Sequence, residues 1–537
     1  MPRRRSDRLQ QARHLTILIL AAALSLPLLA QQAPLEDLDA YVAQSMRTFD
    51  VPGIAVAVVK DGEVVVTKGY GVRHIGEAAP VDAHTLFGIA SNTKAFTAAA
   101  IGILVDEGKL SWDDPVISRL PWFQMYDPYV TREMTVRDLL CHRSGLGLGA
   151  GDLLFWPPST FTRDEILHRL RFVTPAHSFR SRFAYSNLMF VAAGEVVAAV
   201  SGMPWDQFIR QRIFTPLGMN ESNTSVASLH PGDDVATPHT RIEGKLQAIP
   251  FTNLDNSAPA GAINSSVTDM SKWVLAQLAH GSIPRAPGEK RLFSEKVSKE
   301  MWSAQTILPV SDPPAGLEAL RENFSAYGLG LGLSEFRAHK VVWHTGGLPG
   351  YVSLVMMIPD IHLGIIVLTN QEATGAFSAI GHHIADRYLG ASDTDWIAGY
   401  YKLQEKQRAD AAEKVAKLST ARNTASKPSL PLPKYAGEYR DRWYGDVAIT
   451  FERDALVLRF GHTPSLVADL KHWQYDTFAA RWRDRSLDAD AFVTFALNPD
   501  GNISQMKMVP ISPLTDFSFD FQDLLFTPVA KEAGPHP

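Results

Sequence analysis

The chain has 537 residues, 45% of them hydrophobic and 20% charged, which makes it mostly globular and long enough for two or three domains. Its formal net charge of −5 gives no reason to expect a nucleic-acid partner. Cys141 is the single cysteine, so no internal disulfide can form, and no zinc-site spacing surrounds the one histidine doublet, His382-His383.

The N-terminus carries Arg3, Arg4, Arg5, Arg8 and Arg13 ahead of an apolar run from Leu15 to Leu24, followed by Leu26 to Ala30 and Gln31-Gln32. A basic region, a short apolar region and a small residue at the cut describe a secretory signal, with cleavage after Ala30. An uncleaved anchor is the alternative, although the apolar stretch is short for a membrane span.

Residues Pro34 to Phe49 predict an amphipathic helix with Leu38, Tyr41, Val42 and Phe49 on one side. Two Val-rich strands, Gly53 to Lys60 and Glu63 to Thr67, flank Asp61-Gly62, a strong hairpin signal. From Ala95 to about Arg291 the pattern is mostly helical with long loops. Leu188 to Val200 is one apolar helix, and Ser266-Val267-Thr268-Asp269 is a capping pattern ahead of another. Strand signals return at Tyr327 to Leu333, Lys340 to His344, Tyr351 to Ile358 and Leu363 to Thr369, and a helix stopped by Gly390 closes the unit. A sheet built from both chain ends around a helical insertion fits this order; an all-parallel sheet does not, because the strands come as hairpins. Gln404 to Lys417 is polar and predicts a helix, and Ser419 to Pro433 reads as a linker. Tyr435 to about Val529 gives short alternating strands, a small all-β domain.

Within this order, Ser91 sits where an apolar helix begins, and Lys94 lies one turn on, on the same face. A serine is a poor nucleophile at neutral pH and needs an adjacent base. The helix N-terminus offers N–H groups for a developing oxyanion. The tetrapeptide alone also fits a helix N-cap and a surface lysine. A second copy, Ser504-Gln505-Met506-Lys507, lies in a strand-like stretch, where residues three apart point to opposite faces; it reads as a chance match. Tyr185-Ser186-Asn187 precedes the Leu188 helix. A tyrosine near an ammonium can shift toward phenolate and act as a base, and Asn187 can orient the lysine or the substrate. His344-Thr345-Gly346-Gly347 follows the strand ending at Trp343, where glycine permits close approach of substrate to backbone. Plain readings of these two motifs are a loop aromatic with an Asn cap and a strand-end turn.

Ser91-x-x-Lys94, Tyr185-x-Asn187 and His344-Thr345-Gly346, in that order, resemble the penicillin-recognising serine hydrolases: class C β-lactamases, D-alanyl-D-alanine carboxypeptidases, D-aminopeptidases and related esterases. Leu139 to Leu146, Pro216 to Met219 and Ala260 to Ser266 are further family-like stretches, so the resemblance covers roughly residues 35 to 390. It implies a β-lactamase-like α/β fold, a mixed antiparallel sheet flanked by helices with a largely helical insertion. The appended segment is similar to the β-domain carried by members of this group. The implied domains are a signal peptide (1–30), a hydrolase domain (31–395), a linker (396–433) and an all-β domain (434–537).

The resemblance implies Ser91 as the acylated nucleophile, Lys94 and Tyr185 as the proton-transfer pair, and the N–H groups of Ser91 and Gly347 as the oxyanion hole. Asn187, His344, Thr345 and Gly346 would bind or orient substrate, and no metal or organic cofactor is implied. Class C β-lactamases carry Lys where this chain has His344, which points away from efficient β-lactam hydrolysis. With an unperturbed pKa of about 6.5, His344 is expected to titrate in the working range.

The expected activity is that of an exported serine hydrolase, periplasmic or extracellular. It would act on a small-molecule or peptide substrate (a peptide, amide, ester or β-lactam), with no nucleic acid and no membrane beyond the signal segment. A carboxylesterase with little peptidase or β-lactamase activity, and a catalytically idle penicillin-binding or interaction protein, are the alternatives. The catalytic fold is expected to survive removal of everything after Ala391.

Overall fold

In the computed structural model, residues 35–283, 288, 290–391 and 394–529 are described. The signal segment read at 1–30 lies outside the described residues. The first helix, α1 (Leu38–Phe49), leads into β1 (Gly53–Lys60) and β2 (Glu63–Gly71). Asp61 and Gly62 both take positive φ, +52° and +81°, the geometry that turns two strands without splaying them.

The helical insertion follows and contributes α2 (Thr93–Asp106), α3 (Asn187–Ser201) and α4 (Val267–Leu278). Ser266 caps α4 by accepting from the Asp269 N–H. The chain then returns to the sheet through β3 (Thr306–Ile307), β4 (Ser325–Tyr327), β5 (Gly332–Phe336), β6 (His339–Leu348), β7 (Tyr351–Ile358) and β8 (Leu363–Thr369). Helix α5 (Thr374–Leu389) closes the unit. The sheet order is β2-β1-β8-β7-β6-β5-β4-β3, antiparallel at every pairing.

Both faces of the central strands are covered, which is why β1 is apolar at nearly every position. Ile54, Val56 and Val58 pack with α1 and α5, whereas Ala55, Ala57 and Val59 belong to the larger core that contains α2, α3 and α4.

Two strand expectations change. The stretch Tyr327 to Leu333 is two strands: Gly328 N–H bonds Leu331 O at 2.8 Å, and Gly330 N–H turns away to Leu140 O at 3.0 Å. The His344 to Gly347 motif lies within β6 instead of after it, because β6 stays in register with β7 from Val342↔Met357 to Leu348↔Tyr351.

The helix expected over Gln404 to Lys417 forms and extends beyond both ends as the 26-residue α6 (Trp396–Ala421), so the span 396–433 read as linker is mostly helix. Its first turn is anchored: Trp396 is fully buried and donates to Asp386 at 2.9 Å. Its exposed remainder is polar, with i,i+4 ion pairs such as Lys406–Asp410. The chain from Arg422 onward is pinned to the β-domain, with Arg422 donating to Trp473 O at 2.6 Å and Ser429 to Asp476 at 2.7 Å.

The all-β domain is an eight-stranded antiparallel sheet: β9 (Gly437–Asp441), β10 (Gly445–Glu452), β11 (Ala455–Phe460), β12 (Val467–Gln474), β13 (Thr477–Trp482), β14 (Ala491–Leu497), β15 (Ile503–Pro510) and β16 (Thr527–Pro528). The order is β15-β14-β13-β12-β11-β10-β9-β16, and Met506 of β15 exchanges two backbone hydrogen bonds with Phe526, next to β16. The sheet is therefore a near-barrel.

Candidate active site

Ser91 sits in the 3₁₀ turn Ala90–Asn92 that leads into α2. Ala90 holds φ at +50°, a left-handed backbone that costs an alanine on the order of 1 kcal/mol. Neighbouring bonds hold the turn in place: Ile89 N–H donates to Ile263 O at 2.9 Å, and Ser353 Oγ donates to Ile89 O at 2.8 Å.

Lys94 is fully buried, so it is no surface lysine. Its Nζ donates to Ser91 Oγ (3.0 Å), Asn187 Oδ1 (2.7 Å) and Ala260 O (2.8 Å). Three bonds exhaust the donors of an ammonium. When the amine is neutral, its lone pair takes the place of one donor, and Ser91 is the one partner of the three that has a proton to give. Burial pushes the Lys94 amine down to about 7, against the pull of the Asp152 carboxylate.

Tyr185, just before α3, has its ring centroid 4.8 Å from Lys94 Nζ, and Ser91 is near enough to its hydroxyl to favour the ionised form. The phenol does not shift toward phenolate as expected from a nearby ammonium. Burial raises it, Ser91 only partly offsets this, and the Asp152 charge adds to the rise.

His344 points its Nδ1 at Thr345 O (2.5 Å) and its Nε2 at the Tyr327 hydroxyl (2.9 Å). The carbonyl can only accept, so Nδ1 carries the proton and Nε2 accepts from Tyr327. Burial first, and the Lys94 charge second, push this imidazole down to about 3. It stays neutral across the working range, so the expected titration near pH 6.5 does not occur. Its ring lies 6.3 Å from that of Tyr185, centroid to centroid.

Strand β5 stops pairing at Gly332↔Trp343, which leaves residues 344–348 of β6 with one edge free of β5. The Ser91 turn lies against that edge. A Cβ on Gly346 would come 2.2 Å from Ile89 O and 2.4 Å from Ser353 Oγ, so only glycine fits there. A Cβ on Gly347 would meet nothing within 4 Å.

Ser91, Tyr185, Asn187, His344, Thr345 and Gly347 all line one cavity of about 320 Å³. Gly346 and Lys94 do not line it: Gly346 packs against Ile89 O, and Lys94 lies buried with its amine on Ser91. Every sequence-predicted site residue therefore converges on one place.

A family model described as Beta-lactamase matches residues 38–388. The chain belongs to the beta-lactamase family. A second model, a domain of unknown function designated DUF3471, matches residues 421–528. The chain is similar to an unguisins hydrolase of Aspergillus campestris, 28% identical over 497 residues, which are 88% of this chain and 89% of that protein. An octameric penicillin-binding protein homologue from Pyrococcus abyssi shares the fold at TM-score 0.58 and 23% identity, across 91% of this chain and 99% of that one. A D-amino acid amidase from Ochrobactrum anthropi does so at TM-score 0.54 and 24% identity, across 66% of this chain and 98% of that one.

Proteins of this beta-lactamase fold include hydrolases and amidases, and this member adds groups at its site that the motifs did not reveal. Asp152 is fully buried and accepts from Asn187 Nδ2 at 2.8 Å. His142 packs its ring 4.1 Å from that of Tyr185 and accepts the Ser186 N–H at 3.0 Å. The β-domain enters the cavity: Phe517 lies edge-on to Tyr185 at 5.9 Å, and Ser518 Oγ donates to Asp152 Oδ2 at 3.0 Å. Asp520 accepts the backbone N–H groups of Gly151 (2.6 Å) and Leu153 (3.1 Å). No spacing signal could have joined residues up to 369 positions apart.

Proposed function

We propose that this protein is a serine hydrolase that works through a Ser91 acyl-enzyme on an amide or ester. The observation that carries this is the buried Lys94 amine, 3.0 Å from Ser91 Oγ and pushed down to about 7. A general base is most effective when its pKa is near the working pH.

In this mechanism uncharged Lys94 takes the hydroxyl proton as Ser91 Oγ attacks the substrate carbonyl carbon. The N–H groups of Ser91 and Gly347 hold the oxyanion. Tyr185, a neutral phenol, hands its proton to the leaving amine or alcohol and recovers one from Lys94. Water then cleaves the acyl ester through the same groups in reverse. Asn187 holds the Lys94 amine throughout.

The cavity walls favour a particular substrate. Among the described residues that line it, none is arginine or lysine, whereas Asp516 is one of them; Phe155, Trp156 and Phe183 are apolar. Together with a neutral His344, this supports a neutral or amine-bearing substrate with an apolar acyl group over a β-lactam carboxylate. The likeness to an unguisins hydrolase along most of the chain supports turnover over idle binding. The basic and apolar N-terminal run supports export.

The test is labelling with a fluorophosphonate and, in parallel, a fluorescent penicillin, each on the wild type and on Ser91→Ala. The fluorophosphonate should label Ser91 strongly and the penicillin weakly. Ser91→Ala should lose label and about a million-fold in kcat. Retention of more than about a tenth of the turnover, against losses of that size, refutes the assignment.

A further inference from the structure

Asp152 and Ser518 are buried polar groups that the mechanism does not yet use. Four hydrogen bonds run in line: Ser518 Oγ to Asp152 Oδ2 (3.0 Å), Asn187 Nδ2 to the same oxygen (2.8 Å), Lys94 Nζ to Asn187 Oδ1 (2.7 Å), and Lys94 Nζ to Ser91 Oγ (3.0 Å). The first residue belongs to the β-domain and the last is the nucleophile. Asn187 has little freedom: its amide is fixed at one end by a carboxylate and at the other by the amine it orients.

We propose that Asp152 and Ser518 are positioning residues through which the C-terminal β-domain holds Asn187, and so the Lys94 amine, against Ser91. The inference rests on the serine-hydrolase reading above and assigns the β-domain a part in it.

A purely structural carboxylate would be expected to use both oxygens. Asp152 is fully buried, yet its Oδ1 has no partner. Leaving such an oxygen unpaired is costly, and its proximity to Lys94 gives it an electrostatic use. Burial pushes the Asp152 carboxyl up to about 7, while Asn187, Ser518 and the Lys94 charge pull it down.

The charged and titratable groups around the pair are few. Asp152 is the one charge acting on Lys94. His142 and His344, which also feel the Lys94 charge, are neutral chiefly because of burial, and Tyr185 stays a phenol. Asp516 opposes ionisation of Asp152, and Asp520 and Asp152 oppose each other. Removing the Ser518 donor therefore leaves Asp152 less ionised and Lys94 easier to deprotonate.

The experiment is kcat/KM against pH on a neutral ester, with the full chain, for wild type, Ser518→Ala and Asp152→Asn. Asp152→Asn keeps an oxygen for Asn187 and removes the charge. It should move the acid limb to lower pH by about one unit, the effect expected of one nearby charge. Ser518→Ala should move it the same way by less and lower kcat about tenfold, as a loosened catalytic group does, with KM nearly unchanged.

A Ser518→Ala profile that superimposes on wild type, or shifts to higher pH, overturns the proposal even if the variant is less stable. Should Asp152→Asn fail to fold, Ser518→Ala decides alone. If the fluorophosphonate fails to label Ser91 in the wild type, the hydrolase reading itself has failed. Labelling with an unmoved acid limb defeats only this inference.

Discussion

The chain contains the same tetrapeptide pattern twice, and the two copies have opposite fates. Ser91 and Lys94 lie at a helix entry, where a spacing of three brings side chains to one face, and the lysine is buried with its amine on the serine. Ser504 and Lys507 lie on β15, at the outer edge of the near-barrel sheet, and both side chains are exposed. Ser504 sits beside a bulge, opposite Ala496 and Leu497, and donates to Ala496 O at 3.1 Å. Spacing becomes chemistry only when the backbone period and the burial agree with it. The domain that carries the idle copy still reaches the catalytic centre, by a different loop, residues 516–520.

The harshest way to break that contrast is to delete the chain after Ala391, which removes the second copy and that loop together. The sequence alone predicts an intact catalytic fold. The structure reverses that expectation. Asp520 holds two N–H groups of the 151–153 turn, Phe161 stacks on His462 at 3.9 Å, and Arg169 donates to Trp443 O at 2.8 Å. Phe161, packed on Tyr444 and His462, would lose cover worth about 1.5–3 kcal/mol when buried. The truncated chain should be insoluble or should lose nearly all turnover. Soluble protein with wild-type kcat would show that the β-domain is only a cover.

What the residues reveal in advance follows the range of the forces involved. The Asp61-Gly62 hairpin, the Ser266 cap and the Ser91 helix are set by neighbours within a few positions, and each forms where expected. The three short motifs carry enough local chemistry to mark one cavity. The continuation of β6 through Gly346-Gly347 was hidden because paired glycines read as a turn, whereas here Gly346 is required by the approach of Ile89 O. The polar helix expected at Gln404 to Lys417 forms, and it starts earlier than expected because its first turn is fixed by Trp396, buried and bonded to Asp386. Asp152, Tyr327 and Ser518 were invisible for a different reason: each has a role only in relation to a partner distant in the chain. His344 was located correctly and its charge misjudged, because burial, which sets its protonation, is a property of the folded core.

That burial can be read separately from catalysis, which gives a second, smaller prediction. The folded His344 takes up its proton near pH 3 and the unfolded chain near 6.5. Between those values the unfolded state binds more protons, so this residue's contribution makes stability rise with pH and fall on acidification. From pH 6.5 to 5 the loss attributable to His344 should be about 2 kcal/mol. Urea unfolding of wild type and His344→Gln at both pH values measures it. The variant should show the shallower decline, whatever its absolute stability. The acid limb of kcat/KM should stay where Lys94 puts it. Equal slopes for the two proteins would mean that His344 is solvated.

The smallest expected effect tests the comparison from its idle side. If backbone period and burial decide the matter, Ser504→Ala and Lys507→Ala should each leave kcat/KM within about twofold of wild type. Stability should change by no more than about 0.5 kcal/mol, as for most surface substitutions. Ser504→Ala removes the exposed hydrogen bond to Ala496 O, and water takes its place. Lys507 lies opposite Thr494 on an exposed face, where its removal leaves no cavity. Both variants should also label with the fluorophosphonate as wild type does. A loss of labelling in either, with the thermal midpoint unchanged, would mean that the β15 pair reaches substrate and that the helix-entry copy is the accident.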